Sequence, residues 1–188
     1  MSSARDNKIP IEWYKRGLKF KRDHITKFMM HWIAFNWLYS EYRKMNRNNN
    51  GKKKHNYNDE KECIEKYVNN KIMYLKKYNA YSTDAYDKII NREGGIREGT
   101  NGDINDYVIE AYRKLKNRRN SSNVKYLFLI IYQIRCNLFH GSKSLNESDV
   151  KLVEWASVIL EGYLEALFKN DSDFKELYKE IIGEHNNS

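Results

Sequence analysis

The chain has 188 residues, of which 40% are hydrophobic and 14% aromatic, and 15 of them are tyrosines. This is enough for one domain with a hydrophobic core, and a single proline with nine glycines favours long helices over a turn-rich β architecture. No segment reaches about 18 consecutive apolar residues and no signal-peptide pattern is present, so we expect a cytoplasmic protein without a membrane span.

The formal net charge of +9 is unevenly distributed along the chain. Residues 1–58 contain 14 Lys/Arg and 4 Asp/Glu, whereas residues 59–188 contain 20 Lys/Arg and 21 Asp/Glu. A basic N-terminal part is typical of a protein that binds a polyanion. Biased composition is the alternative explanation, because Lys, Asn, Ile and Tyr are all abundant here. Both explanations remain open at the level of sequence.

Hydrophobic periodicity predicts helices from the N-terminus onward. The first predicted helix covers about residues 11–46 and is apolar on all its faces, so it is either central to a bundle or in contact with a second subunit. A polar, basic and flexible loop is predicted at about 46–58. The second predicted helix begins at Asp59, which stands in a capping-box-like relation to Glu62, and runs through Leu75.

Five further helices are predicted in the remaining chain, at about 84–91, 104–117, 122–140, from after Asn146 to about 170, and 172–182. Gly141 has the position of a C′ glycine at the end of the helix over 122–140. No stretch alternates with a period of two. We therefore predict an all-α, up-down bundle of four to five main helices plus short extra helices. It forms a single domain over residues 1–188, with a variable insertion of no assigned function at about 79–120.

Few residues are placed for metal or thiol chemistry. Cys63 and Cys136 are isolated in the sequence and are predicted to be free thiols. The glycine-rich stretch at 94–102 lacks the Lys-Ser/Thr of a P-loop, and no HExxH, CxxC or facing acidic pair occurs, so no metal site and no cofactor are predicted. His24 and His31 lie seven residues apart on the first predicted helix, and we expect them to be core or interface residues.

The strongest chemical signal follows the apolar run 126–134, where residues 135–141 read Arg-Cys-Asn-Leu-Phe-His-Gly. Arg135 can bind a phosphate, His140 can transfer a proton near neutral pH, and Asn137 can orient either one. On an ideal helix, Arg135 and His140 start about 140° apart. A shared pocket therefore requires unwinding near Gly141 or a site formed across a two-fold axis. In the alternative interpretation, both side chains only bind backbone carbonyls at a helix end.

Two segments resemble the HEPN superfamily, helical proteins many of which are metal-independent ribonucleases. RCNLFHGSK (135–143) is similar to its Arg-x4-His signature, and HWIAFNWLYSEY (31–42) is similar to the aromatic first helix of several bacterial HEPN-like families. The order of the predicted helices also fits. The resemblance implies a helical bundle that forms a homodimer along the motif-bearing helices, with two motifs in one composite cleft and without a metal ion.

The resemblance also implies roles for individual residues in cleaving single-stranded RNA. Arg135 would bind the scissile phosphate, His140 would be a general acid or base, and Asn137 would orient one of them. Lys143, next to the motif, is a further candidate RNA-binding residue. The expected products carry a 2′,3′-cyclic phosphate and a free 5′-OH. Such proteins act as toxins or phage-defence effectors with an antitoxin or defence partner. One toxin subgroup has tyrosine where this chain has Ser142, so control by modification of that tyrosine is not expected.

Two other functions remain open at the level of sequence. In the first, the chain is a non-catalytic HEPN-like module that binds RNA or a nucleotide. In the second, it is a helical dimerisation scaffold whose interface is the apolar first helix.

Overall fold

The structure is a computed structural model that describes residues 6–48, 59–78, 83–92, 106–117, 123–139 and 146–183. In these ranges every regular element is helical, which confirms the predicted all-α bundle. The helices are α1 (Lys8–Leu18), α2 (His24–Asn48), α3 (Glu60–Asn70), α4 (Ile72–Tyr78), α5 (Asp84–Ile90), α6 (Asp106–Asn117), α7 (Val124–Phe139), α8 (Glu147–Asn170) and α9 (Lys175–Gly183). None of the described helices is both long and apolar enough to cross a bilayer.

Four buried aromatic rings, one from each of four helices, meet at the centre of the core. They are Phe35 of α2, Tyr67 of α3, Phe128 of α7 and Tyr163 of α8. The ring centroids of Phe128 and Tyr163 are 4.9 Å apart, those of Phe35 and Phe128 are 5.1 Å apart, and those of Phe35 and Tyr67 are 5.9 Å apart. These tilted and edge-on contacts join the four helices into one packed unit.

The prediction of one helix over residues 11–46 is wrong, because α1 ends at Leu18 and α2 begins at His24. Asp23 caps the new helix: its Oδ1 accepts a hydrogen bond from the Thr26 amide at 3.0 Å, and its Oδ2 accepts one from the Thr26 hydroxyl at 2.6 Å. α1 then folds back against α2 so closely that a Cβ at Gly17 would overlap the His31 ring. The two helices therefore form a hairpin.

The second predicted helix is also two helices, α3 and α4, which are separated at Lys71. The Lys71 ammonium lies 2.6 Å from the carboxylate of Asp171, whose side chain is only 3% exposed. This buried ion pair joins the α3–α4 junction to the end of α8. The predicted N-cap at Asp59 is confirmed, but its Oδ1 accepts from the Lys61 amide at 3.0 Å, so the capping-box relation to Glu62 was wrong.

The later helices agree with the sequence pattern within a few residues. Asn146 is the N-cap of α8, with its Oδ1 accepting from the Asp149 amide at 2.9 Å. α9 begins three residues later than predicted because Asp171 closes a turn, accepting from the Asp173 amide at 3.0 Å. In the first half of the chain, α2 extends to Asn48, so the predicted loop at 46–58 begins too early. Residues 49–58 lie outside the described ranges.

The predicted insertion at about 79–120 supplies part of the core through α5 and α6. The buried side chains from these two helices are Ala85, Tyr86, Ile89, Ile90, Val108, Ala111, Tyr112 and Leu115. The hydroxyl of Tyr112 donates to the Ile89 carbonyl at 3.2 Å and so ties α6 to α5. The described part of this segment therefore belongs to the packed body of the protein.

Candidate functional site

The motif lies where α7 emerges from the core. From Val124 to Ile134 most of the side chains of α7 are buried. Arg135 and Asn137, on the last turn, are half-buried, and Phe139 is 46% exposed. The apolar run thus anchors the helix, and its C-terminal turn presents a cation and an amide near the surface.

The guanidinium of Arg135 is positioned by aromatic rings. Its Cζ lies 5.8 Å from the ring centroid of Trp32 and 5.1 Å from that of Phe139. Nη1 donates to the Cys136 Sγ at 3.8 Å, and Nε is buried without a hydrogen-bond partner among the described residues. Cation–π contacts of this kind each contribute about 0.5–1 kcal/mol at exposed sites. These contacts orient the planar guanidinium, and among the described residues it donates one hydrogen bond, from Nη1 to Cys136.

Acidic and phenolic groups surround Arg135 from α2, α3 and α7. Burial lowers the pKa of Arg135, but the hydrogen bond to Cys136 and the negative charge of Glu60 together raise this pKa above its usual value. The Tyr39 hydroxyl donates to Glu60 Oε1. Burial and the hydrogen bond to Glu60 raise the pKa of Tyr39, and burial, Cys136 and Glu60 raise the pKa of Tyr132. Near neutral pH, the site therefore holds a cation beside two protonated phenols.

Asn137 is held by a hydrogen-bond chain that reaches α6. Gln133, only 2% exposed, donates from Nε2 to the Asn137 Oδ1 at 2.7 Å. The Tyr107 hydroxyl in turn donates to the Gln133 Oε1, and the Lys61 ammonium lies 4.4 Å from the Tyr107 ring centroid. Because the Asn137 Oδ1 accepts this hydrogen bond, the orientation of the side-chain amide is fixed, and its NH₂ group is directed away from the Gln133 Nε2.

The structure brings Arg135 and Asn137 together on one helical turn, with each contacting different neighbours. His140 and Lys143, the other two predicted site residues, lie outside the described ranges, as does Gly141. His140 directly follows Phe139, the last residue of α7. Their predicted roles remain predictions.

Sequence reasoning missed the residues that surround Arg135. Trp32 and Tyr39 belong to the aromatic segment 31–42, but nothing in the sequence indicated that they face the motif. Glu60 is the first residue of α3, where an acidic side chain is common for local electrostatic reasons alone. Gln133 did carry a signal, since a buried glutamine within an apolar run needs hydrogen-bond partners.

The described histidines and cysteines are placed apart from one another. His31 is fully buried, and the His24 Nε2 lies 3.8 Å from Glu154 on α8. Cys63 is buried, Cys136 is half-buried, and both are free thiols. Within the ranges that the structure describes, no group of three or more His, Cys, Asp or Glu could hold a metal ion.

A separate cavity of about 530 Å³ lies at the start of α8. It is lined by Arg92, Asn146, Glu147, Ser148, Lys151 and Trp155. Arg92 Nη2 lies 2.9 Å from the Ser148 hydroxyl and 3.6 Å from the Asp149 carboxylate. The volume is in the range of small-molecule sites, but the lining carries both charge signs and so selects no ligand class by charge.

No protein-family model, curated protein or solved structure matches this chain. The HEPN resemblance therefore depends on the residues of segments 31–42 and 135–143 and on the order of the helices.

Proposed function

We propose that this protein is a HEPN-type endoribonuclease that cleaves single-stranded RNA without a metal ion. The observation that supports the proposal is the arrangement at the end of α7. Aromatic rings orient the positively charged Arg135, and a hydrogen bond from Gln133 fixes Asn137. In the sequence, His140 directly follows this helix. A role as a cytoplasmic toxin or phage-defence effector, with an antitoxin or defence partner, belongs to the same proposal and is supported by the resemblance alone.

In the proposed reaction, Arg135 binds the non-bridging oxygens of the scissile phosphate. Its guanidinium offers paired donors and stabilises the negative charge that builds up as the 2′-oxygen attacks phosphorus. His140 transfers the proton, either from the 2′-OH or to the 5′-oxygen as the bond from phosphorus to that oxygen breaks. Asn137 orients the phosphate or the imidazole. The products carry a 2′,3′-cyclic phosphate and a free 5′-OH.

The test is cleavage of an end-labelled single-stranded RNA in excess EDTA, followed by chemical analysis of the new ends. We expect cleavage to persist in EDTA and to leave a 2′,3′-cyclic phosphate. A double variant, Arg135→Ala with His140→Ala, purified in the same way, controls for contaminating nucleases and should be inactive. Intact RNA at high protein concentration would contradict the proposal. RNA binding without cleavage would instead assign the chain to the non-catalytic modules.

We also propose that the active species is a homodimer. Most of α7 is covered within its own subunit, so a contact between two motif helices has to use the last turn, where Phe139 is exposed. Such a contact would bring two Arg135 side chains into one cleft. Light scattering at micromolar concentration should therefore give twice the 22.6 kDa of the chain. A monomer under those conditions would count against a composite cleft.

A further inference from the structure

Four cations cluster where α1 turns into α2. Arg16, Lys19, Lys21 and Arg22, which we call the basic corner, lie within seven consecutive residues and are all exposed. None of them has an ion pair or a hydrogen bond from its side chain to another described residue. Among the described residues, Arg16 has a cation–π contact instead, with its Cζ 5.0 Å from the Trp13 ring centroid. The positive charge of the corner is therefore directed toward solvent.

Elsewhere in the described part of the chain, most cations have a partner. Lys8 pairs with Glu180, Lys27 with Glu161, Lys44 with Glu41, Lys66 with Glu62, Lys125 with Glu65 and Lys179 with Glu176. Outside the basic corner, the described cations without a side-chain hydrogen bond or ion pair are Lys116, Lys151 and Lys175, which lie on three different helices. Composition bias explains abundant lysine, but it does not explain why the unpaired cations are concentrated in one turn.

The two acidic residues next to the basic corner, Asp23 and Glu12, offset only part of the charge of its four cations. Asp23 is bound to the amide and the hydroxyl of Thr26, which lower its pKa, and it serves as the cap of α2. Glu12, one helical turn before Arg16, is exposed and forms no ion pair with a described residue. The corner thus keeps a net positive charge over a short stretch of surface.

Two aromatic side chains lie next to these cations. Phe20, between Lys19 and Lys21 in the sequence, is 37% exposed, and the half-buried ring of Trp13 lies against Arg16. Cations interleaved with exposed aromatic rings are typical of surfaces that bind single-stranded nucleic acid, in which bases stack on rings and phosphates meet cations. A membrane surface fits less well, because the apolar side of α1, including Ile11 and Tyr14, is buried in the core.

We propose that the basic corner binds single-stranded RNA, with its four cations contacting phosphates and Phe20 stacking on a base. The choice of RNA over DNA rests on the proposed function. α2 begins at His24, directly after the basic corner, and its Trp32 contacts Arg135. Trp32 lies eight residues after His24, so the start of α2 and the Arg135 site are about 12 Å apart along the helix axis. The corner is therefore a second RNA-binding surface, connected to the Arg135 site by one rigid helix.

The test compares two quadruple variants in which the same number of charges is removed. The corner variant is Arg16→Gln, Lys19→Gln, Lys21→Gln and Arg22→Gln, and the control variant is Lys44→Gln, Lys66→Gln, Lys114→Gln and Lys179→Gln. The control lysines are ion-paired on four other helices. Binding is measured by fluorescence anisotropy at several salt concentrations, with a labelled 2′-O-methyl RNA that cannot be cleaved through its 2′-oxygen.

We expect the corner variant to bind this RNA about 10- to 100-fold more weakly and its salt dependence, d log K/d log [salt], to fall by about 3 in magnitude. The control variant should stay within a few-fold of the wild type. Phe20→Ala should weaken binding while leaving the salt dependence unchanged, because it removes stacking and no charge. Equal losses in both quadruple variants, or unchanged binding in the corner variant, would overturn the inference. Binding to anionic phospholipid vesicles in place of RNA would overturn it too.

The same proteins separate this inference from the proposed function. Corner-dependent binding without cleavage by the wild type would leave the inference standing and remove the ribonuclease. Cleavage by the corner variant with an unchanged KM would remove the inference and leave the ribonuclease standing.

Discussion

Replacing Arg135 with lysine is expected to slow RNA cleavage by about 10²–10³-fold, the usual cost of losing one positioned donor to a developing oxyanion. Lysine keeps the positive charge but has neither the planar group that lies over Trp32 and Phe139 nor the paired donors for two phosphate oxygens. We therefore expect RNA affinity to change little while the single-turnover rate at saturating protein falls. The loss would show that the geometry of the guanidinium, beyond its charge, contributes to the reaction.

A matched control exists on α6. Arg113 binds both oxygens of Glu110 through Nε and Nη2 at 2.7 Å, so Arg113→Lys makes the same chemical change away from the motif. That variant should cleave at the wild-type rate, and thermal unfolding of both variants should confirm that they fold. If Arg135→Lys cleaves as fast as Arg113→Lys, the assignment of Arg135 to the scissile phosphate is wrong.

Acidification is expected to destabilise the protein through His31, by about 2 kcal/mol between about pH 7.5 and pH 5. This ring is fully buried, it is stacked 5.1 Å from Tyr14, and neither of its nitrogens has a well-formed hydrogen bond to a described residue. Burial, together with the positive charge of Lys27, lowers the pKa of His31 from 6.5 to about 3. Below pH 6.5 the unfolded chain therefore binds a proton that the folded chain excludes. The stability is complete above pH 6.5 and is lost as the pH falls toward 3.

Urea unfolding at several pH values measures this effect. In His31→Phe and His31→Leu the pH dependence between about 7.5 and 5 should nearly disappear, whatever the stability of each variant at the upper pH. Parallel curves for the wild type and both His31 variants would assign the acid sensitivity to other groups.

Local patterns were sufficient to predict the helical class and most helix ends, because periodicity and caps are properties of neighbouring residues. Asn146 could be recognised as a helix start for this reason. The two breaks that were missed differ in cause. The break between α1 and α2 is local, because Asp23 caps α2 through Thr26 within the polar stretch 19–24, and a continuous periodicity on both sides obscured it. The break at Lys71 includes an ion pair with Asp171, a hundred residues later, which no local pattern contains.

In the candidate site, too, the residues that are close together in the sequence were predicted, and those from other helices were not. Arg135 and Asn137 were predicted from one short motif, because a cation and an amide at this spacing are visible in the sequence. Trp32, Tyr39 and Glu60 come from two other helices, and only the packing of α2 and α3 near the end of α7 brings them to Arg135. The buried position of Gln133 likewise depends on α6, whose Tyr107 supplies its second hydrogen bond. Contacts between distant helices cannot be derived from the spacing of single residues.

The pairing of α2 with α8 in the core has a consequence for the order in which a nascent chain can fold. The two helices are separated in the chain by all of α3 to α7, so their contact closes a long loop and forms slowly. During synthesis, Phe35, whose ring centroid lies 6.0 Å from that of Tyr163 on α8, therefore remains without this contact until α8 has been made. The α1–α2 hairpin is a local contact that forms early, and it shields one side of α2 from aggregation during that interval.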